Sequence, residues 1–210
     1  MGLYNLLHIL LFPKLLELIR QIPHPDSRVV DLACGSGIYA LLVAAAYPET
    51  QVLGIDLQSV RIAAANEAAR RLKLCNASFQ CGDVLAEDLP RADMFLIADL
   101  LLYLPFDKQA QLLNRVRCQV RRPGNLIIKD HDMSSAWKVR FLELEENLGR
   151  HLRKAMGTEI DQGYSGKGLF LKTAGDRRDE LVNFGMRVDV LRVDRDSVLP
   201  HIAFFCQTQK

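Results

Sequence analysis

Residues 29–44 read V-V-D-L-A-C-G-S-G-I-Y-A-L-L-V-A, and this stretch predicts a strand, a tight turn and a helix in succession. Val29 to Ala33 is an apolar run with one acid, which is typical of a strand buried on both faces. Gly35 and Gly37 allow positive φ in the turn and leave no Cβ between the backbone and a ligand. The alanine-rich run from Ile38 favours a helix. Because ligands of open α/β sheets lie at the carboxyl ends of the strands, this unit predicts a nucleotide-binding site.

One acid interrupts the predicted strand. Asp31 lies in an apolar run, and a buried carboxyl is costly unless it meets hydrogen-bond donors or a cationic ligand. The residues V-D-L-A-C-G-S-G resemble the first motif of class I S-adenosylmethionine-dependent methyltransferases, written D-x-G-x-G-x-G. Ala33 replaces the first glycine, and we expect position 33 to keep a negative φ so that alanine is tolerated. The resemblance implies that five residues of the motif bind the cofactor, namely Asp31, Ala33, Cys34, Gly35 and Gly37.

The glycine spacing has a second interpretation. Gly35, Gly37 and Ala40 also fit G-x-G-x-x-A, the fingerprint of dinucleotide-binding folds. Short motifs of this kind carry a risk of false matches. The stretch alone therefore leaves an NAD(P)-dependent oxidoreductase open beside a methyltransferase.

Two further acids follow predicted strands. Asp56 lies 19 residues after Gly37, close to the spacing of about 20 for a ribose-binding acid. A carboxylate there can accept both ribose hydroxyls, and the alternative is an acid that caps the next helix. Gly82-Asp83 ends the following strand. The resemblance implies that Asp83 accepts the adenine amino group, that Val84 contacts the ring and that Leu57 also binds the cofactor.

The fourth and fifth predicted strands carry the acceptor side. Residues 92–103 resemble the family motif that lines the passage from cofactor to acceptor, which makes Asp99 a cofactor contact and, with Tyr103, a catalytic candidate. The fifth strand ends in K-D-H-D at residues 129–132. We predict His131 as the general base, because a histidine can take a proton near neutral pH and neighbouring carboxylates can orient it. The alternative is a loop histidine with structural hydrogen bonds. We predict no metal site, because no Asp-Asn pair follows this strand.

The order of elements predicts the fold. Strands spaced by helices imply right-handed crossovers and a parallel sheet. The resemblance implies a doubly wound, seven-stranded, mainly parallel α/β sheet whose antiparallel last strand lies between strands five and six. We assign residues 27–210 to this methyltransferase domain, 1–26 to an N-terminal helical cover segment and 134–168 to a helical lid or substrate insertion. Apolar residues recur at helical spacing in the insertion, which predicts either a lid or a helix packed on the domain: Trp137, Phe141, Leu144, Leu148 and Leu152.

Composition limits the class of partner. The chain has 210 residues and a net charge of +2 without a basic arm, so we expect no nucleic-acid partner. Its five cysteines lie in apolar contexts, which predicts buried, reduced thiols in a cytoplasmic protein. Polar residues and a proline interrupt the apolar run at residues 3–22, so we predict no membrane span. Peripheral contact of that segment with a membrane surface stays open.

These residues predict methyl transfer from S-adenosylmethionine to a small, apolar or aromatic acceptor, with O- or C-methylation favoured. Such a displacement at the sulfonium methyl depends on positioning and desolvation and needs no covalent intermediate. The alternatives are an NAD(P)-dependent oxidoreductase and an S-adenosylmethionine-binding protein without turnover. Nothing in the sequence indicates the oligomeric state.

Overall fold

The computed structural model describes residues 26–155, 168–192 and 200–208. Within these ranges the strands are β1 (Arg28–Leu32), β2 (Gln51–Asp56), β3 (Ala77–Cys81), β4 (Ala92–Ala98), β5 (Val120–His131), β6 (Met186–Arg192) and β7 (His201–Thr208). The helices are α1 (Ile38–Ala46), α2 (Ser59–Leu72), α3 (Phe106–Gln119), α4 (Ala136–Ala155) and α5 (Ala174–Asn183), with a short 3₁₀ turn at Leu101–Tyr103. Strands and helices alternate up to α4 as the sequence predicts, except between β3 and β4, where residues 82–91 contain turns and no helix.

The strands form one seven-stranded sheet in the order β3-β2-β1-β4-β5-β7-β6. Strands β1 to β5 pair in parallel, and β7 runs antiparallel to both β5 and β6. The predicted fold, with an antiparallel last strand between strands five and six, is therefore confirmed. The strand order reverses between β1 and β4, and the carboxyl ends of such a pair border the crevice where ligands of open α/β sheets bind.

The sheet is covered on both faces, so its central strands are buried on both sides. One core contains Val30 and Leu32 of β1 together with side chains of α3 and α5, such as Leu112 and Leu181. The other contains Val29 of β1 together with side chains of α1 and α2. Successive residues of β1 thus face opposite cores, which explains why its sequence is continuously apolar apart from Asp31.

The prediction that the cysteines are buried is wrong for three of the five. Cys206 is buried and Cys34 partly so, but Cys75, Cys81 and Cys118 are exposed. Cys81 ends β3, which lies at the edge of the sheet, and Cys75 lies in the turn before that strand. All five are free thiols. An apolar neighbourhood along the chain did not translate into burial at these positions.

Helix α4 forms within the predicted insertion, but its apolar face does not pack on the domain. Four of the five residues of that face are exposed: Trp137, Phe141, Leu144 and Leu148. Leu142 is buried instead and packs with Leu102 of the 3₁₀ turn. The interpretation of this face as a packed one is therefore wrong. The side chain of Leu152, the cover segment up to residue 25 and residues 156–167 of the insertion lie outside what the structure describes.

No helix in the described part of the chain combines the length and apolar character needed to cross a membrane. The predicted peripheral contact falls on residues 3–22, which are outside that part.

Candidate functional site

A pocket opens at the carboxyl ends of β2, β3 and β4. Seven of the predicted site residues line it: Ala33, Asp56, Leu57, Asp83, Val84, Asp99 and Tyr103. The remaining lining residues are Gln58, Arg61, Gly82, Leu85, Leu100 and Leu104. The other predicted residues, Asp31, Cys34, Gly35, Gly37 and His131, lie outside this lining. The three acids meet here because the carboxyl ends of the parallel strands β2, β3 and β4 lie at the same edge of the sheet.

The glycine turn is tied to the end of β2. The Cys34 N–H donates to the carbonyl of Ile55 at 3.0 Å, and the Gly35 N–H donates to Oδ2 of Asp56 at 2.9 Å. To reach these acceptors the chain takes positive φ at Gly35 (57°) and also at Ala33 (57°). The expectation of a negative φ at position 33 is therefore wrong. Alanine has only a methyl side chain, so it adopts the left-handed conformation at a lower energetic cost than a β-branched residue.

The two glycines of the turn serve different needs. Gly37 has φ 79°, and a Cβ there would lie 2.5 Å from the ring of Phe79 on β3. At Gly35 a Cβ would meet only the Arg61 guanidinium, at 3.6 Å. Gly37 is therefore needed for packing between the turn and the sheet. Gly35 lies beside Arg61, which lines the pocket. A side chain at position 35 would therefore reduce the space for a ligand.

Asp56 has both carboxylate oxygens engaged with the backbone and still faces the pocket. Besides the bond from Gly35, Oδ1 accepts the Gln58 N–H at 2.9 Å. A carboxylate has about four acceptor positions, so two backbone bonds leave room for two hydroxyl donors. Asp83 is held similarly, since its Oδ1 accepts the Leu85 N–H at 2.9 Å. Both acids are thus fixed in orientation before a ligand arrives.

Asp31 lies beneath the turn and is fully buried. Burial raises the pKa of its carboxyl to about 8, although a hydrogen bond from the Ala40 backbone acts in the opposite direction. Its Oδ2 makes no hydrogen bond to any residue that the structure describes. Burial, together with the negative charges of Asp31 and Asp56, also raises the pKa of the Cys34 thiol. This shift disfavours the thiolate, which is the nucleophilic form of a cysteine.

Asp99 is held by Lys129 at the end of β4. The Lys129 Nζ lies 2.7 Å from Oδ1 and 2.5 Å from Oδ2 of Asp99, and the Asp99 N–H donates to the Lys129 carbonyl at 3.0 Å. Asp99 also has a positive φ of 53°. Both side chains of this ion pair are almost fully buried. Asp99 thus forms the contact between the pocket and the polar end of β5.

His131 lies on the far side of this ion pair. Its Nδ1 is 3.8 Å from Oδ1 of Asp99, and its ring lies 4.7 Å from that of His201, centroid to centroid. His201 is brought there by the antiparallel pairing of β5 with β7, in which the two histidines are directly opposite. Both rings are buried. Asp99, which follows another strand, therefore lies within ion-pair distance of His131.

The other acids of the K-D-H-D segment have separate partners. Asp130 contacts the buried Arg177 of α5 at 3.3 Å, and burial raises the pKa of Asp130 to about 6 although the Arg177 charge opposes this. Asp132 accepts hydrogen bonds from Ser134 and from the Ala174 N–H. Burial acts to raise the pKa of Asp132, but these bonds outweigh it and the pKa is lowered.

One group of described residues has the donor atoms for a metal ion: Asp99, His131 and His201, whose ligand atoms lie within 4.8 Å of one another. Lys129 already contacts both oxygens of Asp99, so a cation would have to compete with its ammonium. The predicted absence of a metal stays a prediction.

The sequence did not predict the roles of several residues around the site. Gln109 of α3 donates to the carbonyls of Leu101 and Leu104 and accepts from Arg177 at 2.6 Å, so it fixes the turn that carries Tyr103. His201 and Lys129 complete the polar end of β5. The signal for Lys129 was its place in the polar segment two residues before His131, but long-range partners such as Arg177 have no local signal.

One protein-family model matches most of the chain. A model described as a methyltransferase domain matches residues 23–173. Among curated proteins, a trans-aconitate 2-methyltransferase of Methylobacterium nodulans is 32% identical over 67% of this chain and 49% of its own length. A ribosomal protein L11 methyltransferase of Desulfitobacterium hafniense is 30% identical over 71% of this chain and 44% of its own. The chain thus spans about half the length of these relatives.

Solved structures share the fold at low identity. Magnesium protoporphyrin IX methyltransferase from Synechocystis PCC 6803, with bound S-adenosylhomocysteine, has a TM-score of 0.68 and 15% identity, covering 95% of this chain and 81% of that one. The [4+2]-cyclase SpnF has a TM-score of 0.67 and 16% identity, covering 93% and 80%. The second protein shows that this fold also occurs in an enzyme named for another reaction.

Proposed function

Because the chain belongs to the class I S-adenosylmethionine-dependent methyltransferases, we propose that it transfers the methyl group of S-adenosylmethionine to a small, apolar or aromatic acceptor by O- or C-methylation. The observation that carries this proposal is the pocket lined by Asp56, Asp83 and Asp99, with His131 buried behind Asp99 at 3.8 Å from its Oδ1. The relatives' names include aconitate and a ribosomal protein, so family membership leaves the acceptor open.

The residues of the pocket suit the parts of S-adenosylmethionine. We assign Asp56 to the ribose hydroxyls and Asp83 to the adenine amino group, because both acids line the pocket. Leu57 and Val84 offer apolar surface for the adenine ring. The turn at residues 33–37 holds Gly35 beside Asp56. Because glycine has no side chain, the methionine part of S-adenosylmethionine can lie against the backbone there, next to the ribose. Arg61 on the rim adds a positive charge for a carboxylate.

The acceptor side supports an apolar substrate. Leu100 and Leu104 line the pocket beside Tyr103. Helix α4 begins four residues after Asp132 and presents the exposed face of Trp137 and Phe141. We therefore propose that residues 134–168 serve as a substrate lid, with this apolar face toward the acceptor. The supporting observation is that the face has no packing role in the described domain.

In the proposed reaction the acceptor oxygen or carbon forms a bond to the methyl group while the S–CH₃ bond breaks. The bonding electron pair goes to sulfur and leaves S-adenosylhomocysteine, and the acceptor's proton goes to a ring nitrogen of His131. Asp99 orients the imidazole from 3.8 Å, and Tyr103 helps to position the acceptor. General base catalysis of this kind contributes about 10²–10⁴ in rate.

The family model that matches residues 23–173 is a methyltransferase domain, which favours methyl transfer over the NAD(P)-dependent alternative. A protein that binds S-adenosylmethionine without turnover is the remaining alternative. The test is incubation with S-adenosylmethionine carrying a labelled methyl group and a panel of phenols, carboxylic acids and activated carbon acids, followed by mass spectrometry. Tight cofactor binding without any labelled product from this panel or from cell extracts would favour the alternative.

With an acceptor in hand, His131→Gln tests the base. We expect turnover to fall about 10²–10⁴-fold while cofactor affinity stays within about threefold. Asp179→Asn is the control, because Asp179 lies exposed on α5, outside the pocket lining, and pairs with the exposed Arg178. Turnover of His131→Gln within about threefold of the parent would show that the histidine is structural.

A further inference from the structure

A second cavity lies at the opposite end of the strands from the cofactor pocket. It has a volume of about 440 Å³, which is within the usual range of small-molecule sites. Its lining comes from the last turn of α3, the start of β5 and the residue before β4: Arg91, Arg117, Cys118, Val120, Arg121 and Arg122. Four of these six residues are arginines, and none of the six lines the cofactor pocket.

The pairing of β4 with β5 gathers these arginines. Ala92 lies opposite Val120, so Arg91 and Arg121 flank paired positions on neighbouring strands. Helix α3 runs directly into β5, which brings Arg117 of its last turn to the same end of the sheet. Arginines that are dispersed along the chain therefore converge on one cavity.

Acidic side chains offset little of the charge in this cavity. Arg121 pairs with Asp93 at 3.1 Å. Arg117 donates to two neutral oxygens, a backbone carbonyl at 3.4 Å and an asparagine side chain at 3.3 Å. Arg91 and Arg122 form no ion pair with any residue in the described ranges. Among the residues that the structure describes, the four guanidinium groups are thus paired with one carboxylate.

We propose that this cavity is a binding site for a small molecule that carries a diphosphate or triphosphate group. Guanidinium groups keep their charge and donate paired hydrogen bonds to phosphate oxygens, which makes arginine well suited to phosphate recognition. Four arginines and one carboxylate leave a net charge of +3, more than a single phosphate monoester of about −1.5 to −2 balances. The enclosed shape favours a compact ligand over a nucleic-acid backbone, which binds along an extended basic surface. This inference does not depend on the methyl acceptor.

Calorimetry with orthophosphate, pyrophosphate and tripolyphosphate tests the site directly. The protein is first saturated with S-adenosylhomocysteine, so that the cofactor pocket and its Arg61 are occupied. We expect affinity to rise with the number of linked phosphates and to fall with added salt, because charges near solvent are screened. Adenosine triphosphate forms a further arm: tighter binding than tripolyphosphate assigns the ligand to the nucleotides, and equal binding assigns recognition to the phosphates alone. A tripolyphosphate Kd above about 1 mM at about 0.15 M NaCl would overturn the inference.

A pair of double variants assigns the binding to the cavity. Arg91→Gln/Arg122→Gln removes two arginines that have no ion pair in the described ranges, so we expect the fold to be kept and tripolyphosphate to bind at least about tenfold more weakly. Arg70→Gln/Arg71→Gln is the matched control, because it removes the same charge from exposed side chains on α2 that pair with Glu67. Its affinity should stay within about threefold of the parent. Equal losses in both variants would indicate general attraction by the protein's charge and would refute a built site.

Cys118 provides a measurement at the cavity itself in the unmodified protein. Its thiol is exposed and lines the cavity, whereas the exposed Cys75 precedes β3 at the edge of the sheet. Tripolyphosphate should slow the alkylation of Cys118 by N-ethylmaleimide and leave that of Cys75 unchanged, as measured by mass spectrometry. Tripolyphosphate binding that leaves both rates unchanged would place the anion elsewhere and overturn the inference. Duplex DNA that protects Cys118 and binds more tightly than tripolyphosphate would also overturn it, in favour of a nucleic-acid interface.

Discussion

Replacing Asp56 with asparagine tests the cofactor site most directly. Each carboxylate oxygen of Asp56 accepts one backbone N–H, Oδ2 from Gly35 and Oδ1 from Gln58, both at 2.9 Å. An amide has only one oxygen, so its NH₂ group faces one of these donors whichever way it is turned. The variant therefore loses the negative charge, one contact to the turn or to Gln58, and by our assignment a bond to the ribose.

The lost bond to the ribose and the lost backbone contact have separate magnitudes. A hydrogen bond to a charged group contributes about 1.5–3 kcal/mol, so losing one to the ribose weakens S-adenosylmethionine roughly ten- to a hundredfold. An unsatisfied backbone donor costs about 1–3 kcal/mol in the protein alone, which lowers Tm by about 2–12 °C for a chain of this size. Binding is read by calorimetry with S-adenosylmethionine and S-adenosylhomocysteine, and stability by melting without ligand.

Asp93→Asn is the matched control for this variant. Asp93 also accepts a backbone N–H, from Arg28 at 2.8 Å, but it lies at the amino ends of β1 and β4, away from the pocket. We expect the control to lose stability and to bind the cofactor like the parent. A folded Asp56→Asn protein whose Kd stays within about threefold of the parent would refute the ribose assignment.

Three variants and one dialysis experiment test the glycine turn, the buried Asp31 and the predicted absence of a metal ion. Gly37→Ala should lower Tm strongly, because the new Cβ would lie 2.5 Å from the Phe79 ring. Gly35→Val should lower Tm less and should lose cofactor binding, as measured by calorimetry. A larger loss of Tm in Gly35→Val together with weaker cofactor binding in Gly37→Ala would contradict this. Folding raises the Asp31 pKa from 3.8 to about 8, so its protonated form favours the native state at low pH and this contribution is lost as pH rises toward 8. Asp31→Asn should therefore melt above the parent at alkaline pH and near it at about pH 4, and equal differences at both would contradict the shift. Turnover should survive dialysis against EDTA, because the Lys129 ammonium already contacts both oxygens of Asp99. Loss of turnover that a divalent ion restores would instead assign a metal to Asp99, His131 and His201.

The fold could be predicted because its signals are local. Periodicity identifies each strand and helix, and the crossover rule then makes the first five strands parallel. Once the strands are parallel, acids at their carboxyl ends must share one edge, which is why Asp56, Asp83 and Asp99 line one pocket. No knowledge of side-chain contacts is needed for that step.

The backbone at Ala33 could not be predicted in the same way. Its φ of 57° follows from where the next residues must reach, since Cys34 donates to Ile55 and Gly35 donates to Asp56. These acceptors lie more than twenty residues later in the chain. An alanine in a glycine position indicates small size, but only the tertiary contacts decide the sign of φ.

The K-D-H-D segment shows a similar limit with a consequence for chemistry. Four adjacent polar residues suggested one cluster, yet side chains of a strand alternate between its faces. Lys129 and His131 accordingly meet Asp99 on one face, while Asp130 meets Arg177 on the other. The partner that completes the first group, His201, comes from the antiparallel register of β5 with β7 seventy residues later. A polar strand end should therefore be divided by alternate residues before a base and its orienting acid are assigned, and here that division selects Asp99 over both sequence neighbours of His131.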